Sequence, residues 1–393
     1  MTRTLSRRAF IARTGLIGCS LAASPLLTPV SVAAAPWDAR LVVIILRGAM
    51  DGLDVLQPQG DSRFRKLRPT LGADSRARAT DLDGFYALHP ALEPLLPLWQ
   101  AGELSFVNAV STPYRDKRSH FDGQDILEAG TAELAGGVRD GWLNRMLQVV
   151  PGVEAETAYA VGQNDMRLLK GAAPVSNWTP ESELQLSPQA MRLMSLVTES
   201  DPVMHAALAQ ADALSQTAGM PKGGDRTKGA HRRVAEFVGH RLRGDGRVAA
   251  FSLNGWDTHN KQERSINAAL GRLSDAVLTL RDTLGPPVWG KTAVLAMTEF
   301  GRTVRENGSG GTDHGTGGLM VMAGGAIRGG RVYGQWPGLA EADLYQRRDL
   351  MPTSDVRAHA AWVMRGVTGL DRATLERAVF PGVEMGINVG LLR

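Results

Sequence analysis

Leu41-Val42-Val43-Ile44-Ile45-Leu46 sets the tightest limit on what this chain can fold into. Six apolar residues in succession, four of them β-branched, offer no polar face to water. That is the pattern of a central strand covered on both sides, not of a half-exposed one. The stretches "LSFVNAV" (104–110), "TAYAVG" (157–162), "RVAAFSLNG" (247–255) and "TAVLAMTEF" (292–300) read the same way. Helical patterns separate them. Across 265–284, Ile266, Leu270, Leu273, Val277, Leu280 and Leu284 recur at steps of four and three, which puts them on one helix face. Gly285-Pro286-Pro287 is expected to stop that helix. Strand and helix in alternation predict an α/β fold with a central, mostly parallel sheet and helices on both faces. The stretch 165–245 is less regular and reads as a partly helical insertion, with a glycine- and charge-rich surface loop over 217–233.

The first 35 residues read as a leader. "LSRRAFIARTGLIGCSLAASPLLTPVSVAAAP" has a basic start, a mild apolar stretch and a small-residue end, and Ser6-Arg7-Arg8-Ala9-Phe10-Ile11 fits the twin-arginine pattern. Cleavage near Ala33 to Ala35 would leave residues 36–393 as one domain in the periplasm or secreted, with the twin-arginine export machinery as a partner. An uncleaved anchor is the alternative, and Pro25 and Pro29 argue against it. The single cysteine, Cys19, lies in the leader, so the mature chain has no disulfide to draw on; lipidation at Cys19 is a minor alternative. Taking the four leader arginines (Arg3, Arg7, Arg8, Arg13) from the 44 basic residues leaves 40, against 40 acidic ones. The mature chain is therefore neutral, which gives no support to nucleic-acid binding, and no later apolar run is long enough to span a membrane.

Open α/β sheets bind ligands beyond the carboxyl ends of their strands, and several chemically capable residues fall there. Asp51 follows the first run. Asp257 and His259 follow the fourth in "NGWDTHN". Glu299 ends the fifth, and Asp313-His314 come next within "ENGSGGTDHGTGG" (306–318). Each has an ordinary structural reading: a turn for Asp51, an Asx turn or cap for Asp257, an ion pair with Arg302 for Glu299. Their joint placement after successive strands is the stronger signal. Carboxylate with imidazole suits Zn, Mn or Fe, carboxylate alone Mg or Ca; two Asp-His pairs and a third Asp could hold two divalent ions, whose identity stays open. The surrounding glycines would let the backbone close over a metal and its anion. Ser119, at the start of a predicted helix with Asp122 three residues on, reads as a helix cap and, compatibly, as a nucleophile candidate. His120 could be a ligand or an orienting partner, and Thr112 is a weaker nucleophile candidate. Arg115, Lys117, Arg118 and Arg302 could bind an anion.

The motifs "LVVIILRGAMDGLDVLQP", "FYALHPALEPLLPLW", "RSHFDGQDILEAG", "GWLNR", "GWDTHN", "AMTEFGRTVRENGSGGTDHGTGG" and "GGRVYGQWPGL" resemble, in order and from about 40 to 385, the domain-of-unknown-function 1501 family of bacterial exported proteins. That family is grouped with the alkaline phosphatase and sulfatase superfamily. The resemblance implies a three-layer α/β/α, alkaline phosphatase-like fold with a two-metal site. In it, Asp51 resembles the first-strand ligand, Asp313-His314 the Asp-His pair of the same ion, and Asp257 with His259 the ligands of the other. Ser119 stands near the nucleophile's place. Three departures accompany it, the first being that the sequence around Ser119 matches neither the phosphatase nor the sulfatase nucleophile pattern. Only Thr258 separates Asp257 from His259, and the usual late histidine has just His359 as a candidate, expected at the surface of a helix, with Asp355 or Glu299 as substitutes. The expected function is an exported metal-dependent hydrolase of phosphate or sulfate esters, small or polymeric, with Ser119 or a metal-bound water attacking and Arg302 steadying the anion. The alternative is a metal-stabilised, non-catalytic binding or surface-associated protein on the same fold.

Overall fold

The computed structural model describes residues 37–71, 79–134, 139–162, 166–178, 188–201, 204–205 and 229–393. The leader with Cys19, and the expected 217–233 loop as far as 228, lie outside them. Among the described residues, nine strands form one sheet: β1 (Arg40–Arg47), β2 (Leu104–Ser111), β3 (Ala158–Val161), β4 (Ser176–Trp178), β5 (Val248–Asn254), β6 (Thr292–Met297), β7 (Gly318–Ala323), β8 (Arg331–Tyr333) and β9 (Ser354–Asp355). Their order is β8-β2-β7-β6-β1-β5-β3-β4, with β9 beside the carboxyl end of β2. β1 pairs in parallel with β5 and β6, and β7 runs antiparallel to both β6 and β2. Among the described strands of this sheet only β7 opposes the rest.

The helices that cover the sheet include α1 (His120–Ala129), α2 (Trp142–Val149), α3 (Ala230–Arg243), α4 (Gln262–Trp289) and α5 (Val356–Thr368). β1 shows why its sequence carries no polar face. Val42, Ile44 and Leu46 pack on one side with Val238 and Leu242 of α3 and Leu270, Leu273 and Leu280 of α4. Leu41, Val43 and Ile45 pack on the other with Leu143 and Met146 of α2 and Ala361, Val363 and Met364 of α5. All six of these apolar side chains are fully buried; each such burial stabilises by about 1.5–3 kcal/mol relative to exposure.

α4 buries the expected stripe from Ile266 to Leu284. It leaves helical geometry at Gly285 (φ 69°, ψ 164°), after which Pro286 and Pro287 open one further turn ending at Trp289. The described parts of the middle of the chain join the main fold. β4 extends the main sheet, α3 begins at Ala230 within the expected loop, and Trp178 stacks on Phe237 with ring centroids 3.9 Å apart.

The topology gathers one edge. β1, β2, β5 and β6 deliver Asp51, His120, Asp257 and Glu299 from their carboxyl ends. Because β7 runs the other way, the loop entering it brings Asp313 and His314 to the same edge. This loop also ties down the start of α4: the Lys261 and Gln262 amides donate to the carbonyls of Ser309 (3.2 Å) and Gly310 (2.9 Å).

Candidate metal centre

Three imidazoles meet one carboxylate at that edge. His259 Nε2 lies 3.1 Å from Asp257 Oδ1, His120 Nε2 3.5 Å and His314 Nε2 3.6 Å. His259 Nε2 and His314 Nε2 are 2.9 Å apart. The ligand atoms of His120, Asp257 and His314 all fall within 4.8 Å of one another.

What sits behind each ring fixes what its front can do. His120 Nδ1 is 2.8 Å from Glu299 Oε1, His259 Nδ1 is 3.1 Å from Asp313 Oδ1, and His314 Nδ1 is 2.8 Å from the Arg118 carbonyl. A carbonyl and ionised carboxylates only accept hydrogen bonds, so each Nδ1 carries a hydrogen, and in the neutral ring each Nε2 presents a lone pair. Burial holds the His314 imidazole below its ordinary pKa, which favours the neutral, lone-pair-bearing ring. Three neutral imidazole lone pairs and a carboxylate oxygen at these distances repel each other unless a positive charge, a proton on one ring or a metal ion, lies among them. His120 Nε2 is buried and makes no hydrogen bond, so its lone pair has no partner within the protein. The residues fit a divalent cation on these grounds.

The support beneath is rigid. Glu299 is fully buried. Its Oε1 accepts from the Gly48 amide (2.9 Å) and Gln124 Nε2 (3.1 Å) as well as facing His120. Burial pushes its carboxyl up, but the hydrogen bonds from His120, Gln124 and Gly48 outweigh it and hold the group ionised. The His120 bond to Glu299 in turn raises the imidazole's pKa. Phe300 stacks under His120 (5.2 Å between centroids), touches His314 (5.2 Å), and rests on Tyr114 (6.0 Å), forming an apolar floor. Asn307 donates to both the His259 carbonyl (2.9 Å) and Asp313 Oδ1 (3.1 Å), so one side chain steadies the ring and its partner. The glycines of the loop serve close approach. A Cβ on Gly311 would collide with the Thr258 and His259 backbone, and one on Gly315 with the Arg302 backbone.

Several expected residues stand elsewhere. Asp51 does not join the cluster: it is 1% exposed, and Arg68 grips it through two bonds of 2.7 and 3.1 Å, while Gln262 Nε2 donates at 2.6 Å. Asp313 faces the back of His259 rather than the point of convergence. Arg302 is buried with its guanidinium spent on the carbonyls of Gly48, Ala49, Trp256 and Thr312 and on Asp257 Oδ1 (2.6 Å). It positions Asp257 and has no open face for an anion. Ser119 is the N-cap of α1, its Oγ accepting from the Asp122 amide at 3.4 Å; Asp122 itself stays in the first helical turn. Thr112 is 1% exposed and donates to the Glu299 carbonyl. Arg115 folds back onto Ser111 and Tyr114. His359 is buried, not at the surface, and faces Ser354 Oγ at 2.9 Å; burial pushes its pKa down to about 4. Asp355 caps α5 and binds Arg357. Phe300, Asn307, Arg68 and the Arg118 carbonyl went unread in the sequence. An aromatic beside Glu299 and an Asn-Gly step in the glycine loop were the local signs of the first two; the other two left none.

Solved structures similar to this chain include a variant of the alkaline phosphatase from the Antarctic bacterium TAB5 with Mg bound in its M3 site, at 11% identity over 76% of this chain and 95% of that one (TM-score 0.34). The lipoteichoic acid synthase LtaP from Listeria monocytogenes matches at 9% identity over 69% of this chain (TM-score 0.30), and a 2-O GAG sulfatase at 12% over 74% (TM-score 0.30). The chain spans 58% and 65% of the length of those two. Curated protein sequences gave no match. The family model described as "Protein of unknown function (DUF1501)" matches residues 38–365, which is most of the chain, and the protein belongs to that family.

Proposed function

We propose that this protein is an exported, metal-dependent hydrolase of phosphate or sulfate esters that works at the centre formed by His120, Asp257, His259 and His314. The observation that carries this reading is the convergence of three imidazole Nε2 atoms on Asp257 Oδ1 with every Nδ1 already engaged. A divalent cation held there would acidify a bound water and polarise the ester oxygens, the two demands of hydrolysis at phosphorus or sulfur. The chain's own groups supply the rest. Glu299, Asp313 and the Arg118 carbonyl fix the rings, Arg302 fixes Asp257, and Phe300 keeps water out of the floor. The side chains of Asp257, His259 and Asp313 are 41–52% exposed, so the centre opens to solvent and to substrate. Exposed Lys117 and Arg118 in the loop before His120 favour an anionic substrate. In this reading water attacks and Ser119 only caps α1.

A second reading, a metal-stabilised protein that binds without turnover, is favoured by the engagement of Ser119 as a cap and of Arg302 in the interior. The full chain, stripped by chelator and reloaded, separates the two on aryl phosphate and aryl sulfate. Metal-restored turnover, lost by roughly a hundredfold or more in His314→Ala, supports the hydrolase. Metal binding with no turnover on either ester leaves only the second reading. Export is checked by changing Arg7 and Arg8 to lysine: accumulation of the precursor inside the cell supports the twin-arginine route, and unimpaired export refutes it.

A further inference from the structure

We infer that the centre takes one first-row transition-metal ion of the zinc type, held by His120, His259, His314 and Asp257 together, and that it discriminates against magnesium and calcium. The inference concerns the same site as the proposed reaction but stands whether or not an ester is hydrolysed. The donor set is three imidazole nitrogens to one carboxylate oxygen. Magnesium and calcium are held by oxygen donors, whereas imidazole suits zinc, iron, nickel and copper.

The spacing agrees. Bonds of about 2.0–2.1 Å place neighbouring donors about 2.9 Å apart around an octahedral ion and about 3.4 Å apart around a tetrahedral one. Four of the six donor separations, 2.9, 3.1, 3.5 and 3.6 Å, run from the lower end of that range to slightly above it, and His120, Asp257 and His314 form the compact group within 4.8 Å, with His259 beside it. Asp257 Oδ1 also accepts from Arg302, and a carboxylate oxygen has a second lone pair to give.

The remaining carboxylates already serve other partners, which argues for one ion rather than two. Asp51 is closed by the two-bonded Arg68, and a cation there would have to displace a guanidinium from a fully buried pocket. Asp313 Oδ1 serves His259 and Asn307. Glu299 Oε1 serves His120, Gln124 and Gly48. Each of the latter two acts through a ring, as a positioning residue.

The test is metal content and affinity, read without any substrate. The purified full chain is loaded with Zn2+ in a large excess of Mg2+ and Ca2+, desalted, and analysed by mass spectrometry for metal. The expected result is one equivalent of zinc and neither of the others. Co2+ in its place should give the strong visible absorption of a nitrogen-rich, low-coordinate site, not the faint bands of the hydrated ion. His259→Ala, chosen because its side chain is 41% exposed and its loss need not disturb the core, should weaken zinc binding by roughly a hundredfold or more, and Asp313→Asn by roughly 10- to 100-fold. Thermal melting of each metal-free variant checks that it is folded. Two equivalents of metal, retention of magnesium or calcium in place of zinc, or zinc affinity unchanged in a folded His259→Ala would each overturn the inference. One bound zinc without ester turnover would leave it standing and remove the hydrolase reading instead.

Discussion

Asp51 and Asp257 start from the same position in the fold and end in opposite roles. Each follows a central parallel strand, and each meets an arginine, Arg68 for one and Arg302 for the other. Asp51 is sealed and surrounded by donors: the Arg68 guanidinium, Gln262 and Thr312. Its charge is neutralised where it lies. Asp257 has a half-exposed side chain whose Oδ1 accepts from Arg302 and also faces three imidazole Nε2 atoms, so its charge is shared with an open site instead of being sealed. An acid at a strand end is therefore only a candidate. Whether its neighbours donate or accept decides between a buried ionic knot and a place that demands a cation.

The largest effect should come from breaking the knot. Arg68→Met leaves the Asp51 charge buried and unpaired, and chemical denaturation should show a loss of about 3–5 kcal/mol. The same measurement on His259→Ala should show less than about 1 kcal/mol, since that residue contributes to metal binding rather than to the core. Equal losses would erase the distinction between the two sites.

Next comes pH. Asp54 shares the knot, bonded to Gln262 at 2.8 Å, and burial together with the Asp51 charge raises its pKa to about 7. A carboxyl raised on folding contributes stability that is complete below its unfolded pKa near 4 and is lost as pH climbs through about 7. For Asp51 burial acts upward too, but Arg68 outweighs it and lowers the pKa, so its contribution is present above about 4 and lost in acid. Asp54→Asn should therefore remove an alkaline loss on the order of 2–4 kcal/mol, seen as a higher melting temperature than wild type above about pH 8. A melting temperature that follows pH identically in both proteins would show that Asp54 does not titrate there.

The glycine loop sharpens the contrast at smaller scale. Gly311→Ala drives a methyl into the Thr258 and His259 backbone and should cost about 1–3 kcal/mol. Gly308→Ala, in the same loop with nothing within 4 Å, should stay within about 0.5 kcal/mol. Asn307→Ala frees both His259 and Asp313 and should weaken zinc binding by about tenfold with little change in melting of the metal-free chain. Equal effects of Gly311→Ala and Gly308→Ala would mean that the loop is not pressed onto the ring-bearing segment.

The layered fold was legible because it is written locally. The unbroken apolar run of β1 requires cover on both faces, and the spacing of Ile266 to Leu284 can bury itself only as a helix. Parallel connectivity then fixes which residues reach one edge, so His259, His314 and Asp257 could be named from strand ends alone. The choice among the acids at that edge could not. It depended on Arg68, 17 residues from Asp51, turning back to claim it, and on Glu299, Asp313 and the Arg118 carbonyl arriving behind three rings from different loops. Periodicity records the burial of a residue's own segment. The direction of a lone pair is set by whatever stands on the far side of the ring, and that partner comes from a distant segment that only the folded chain brings near.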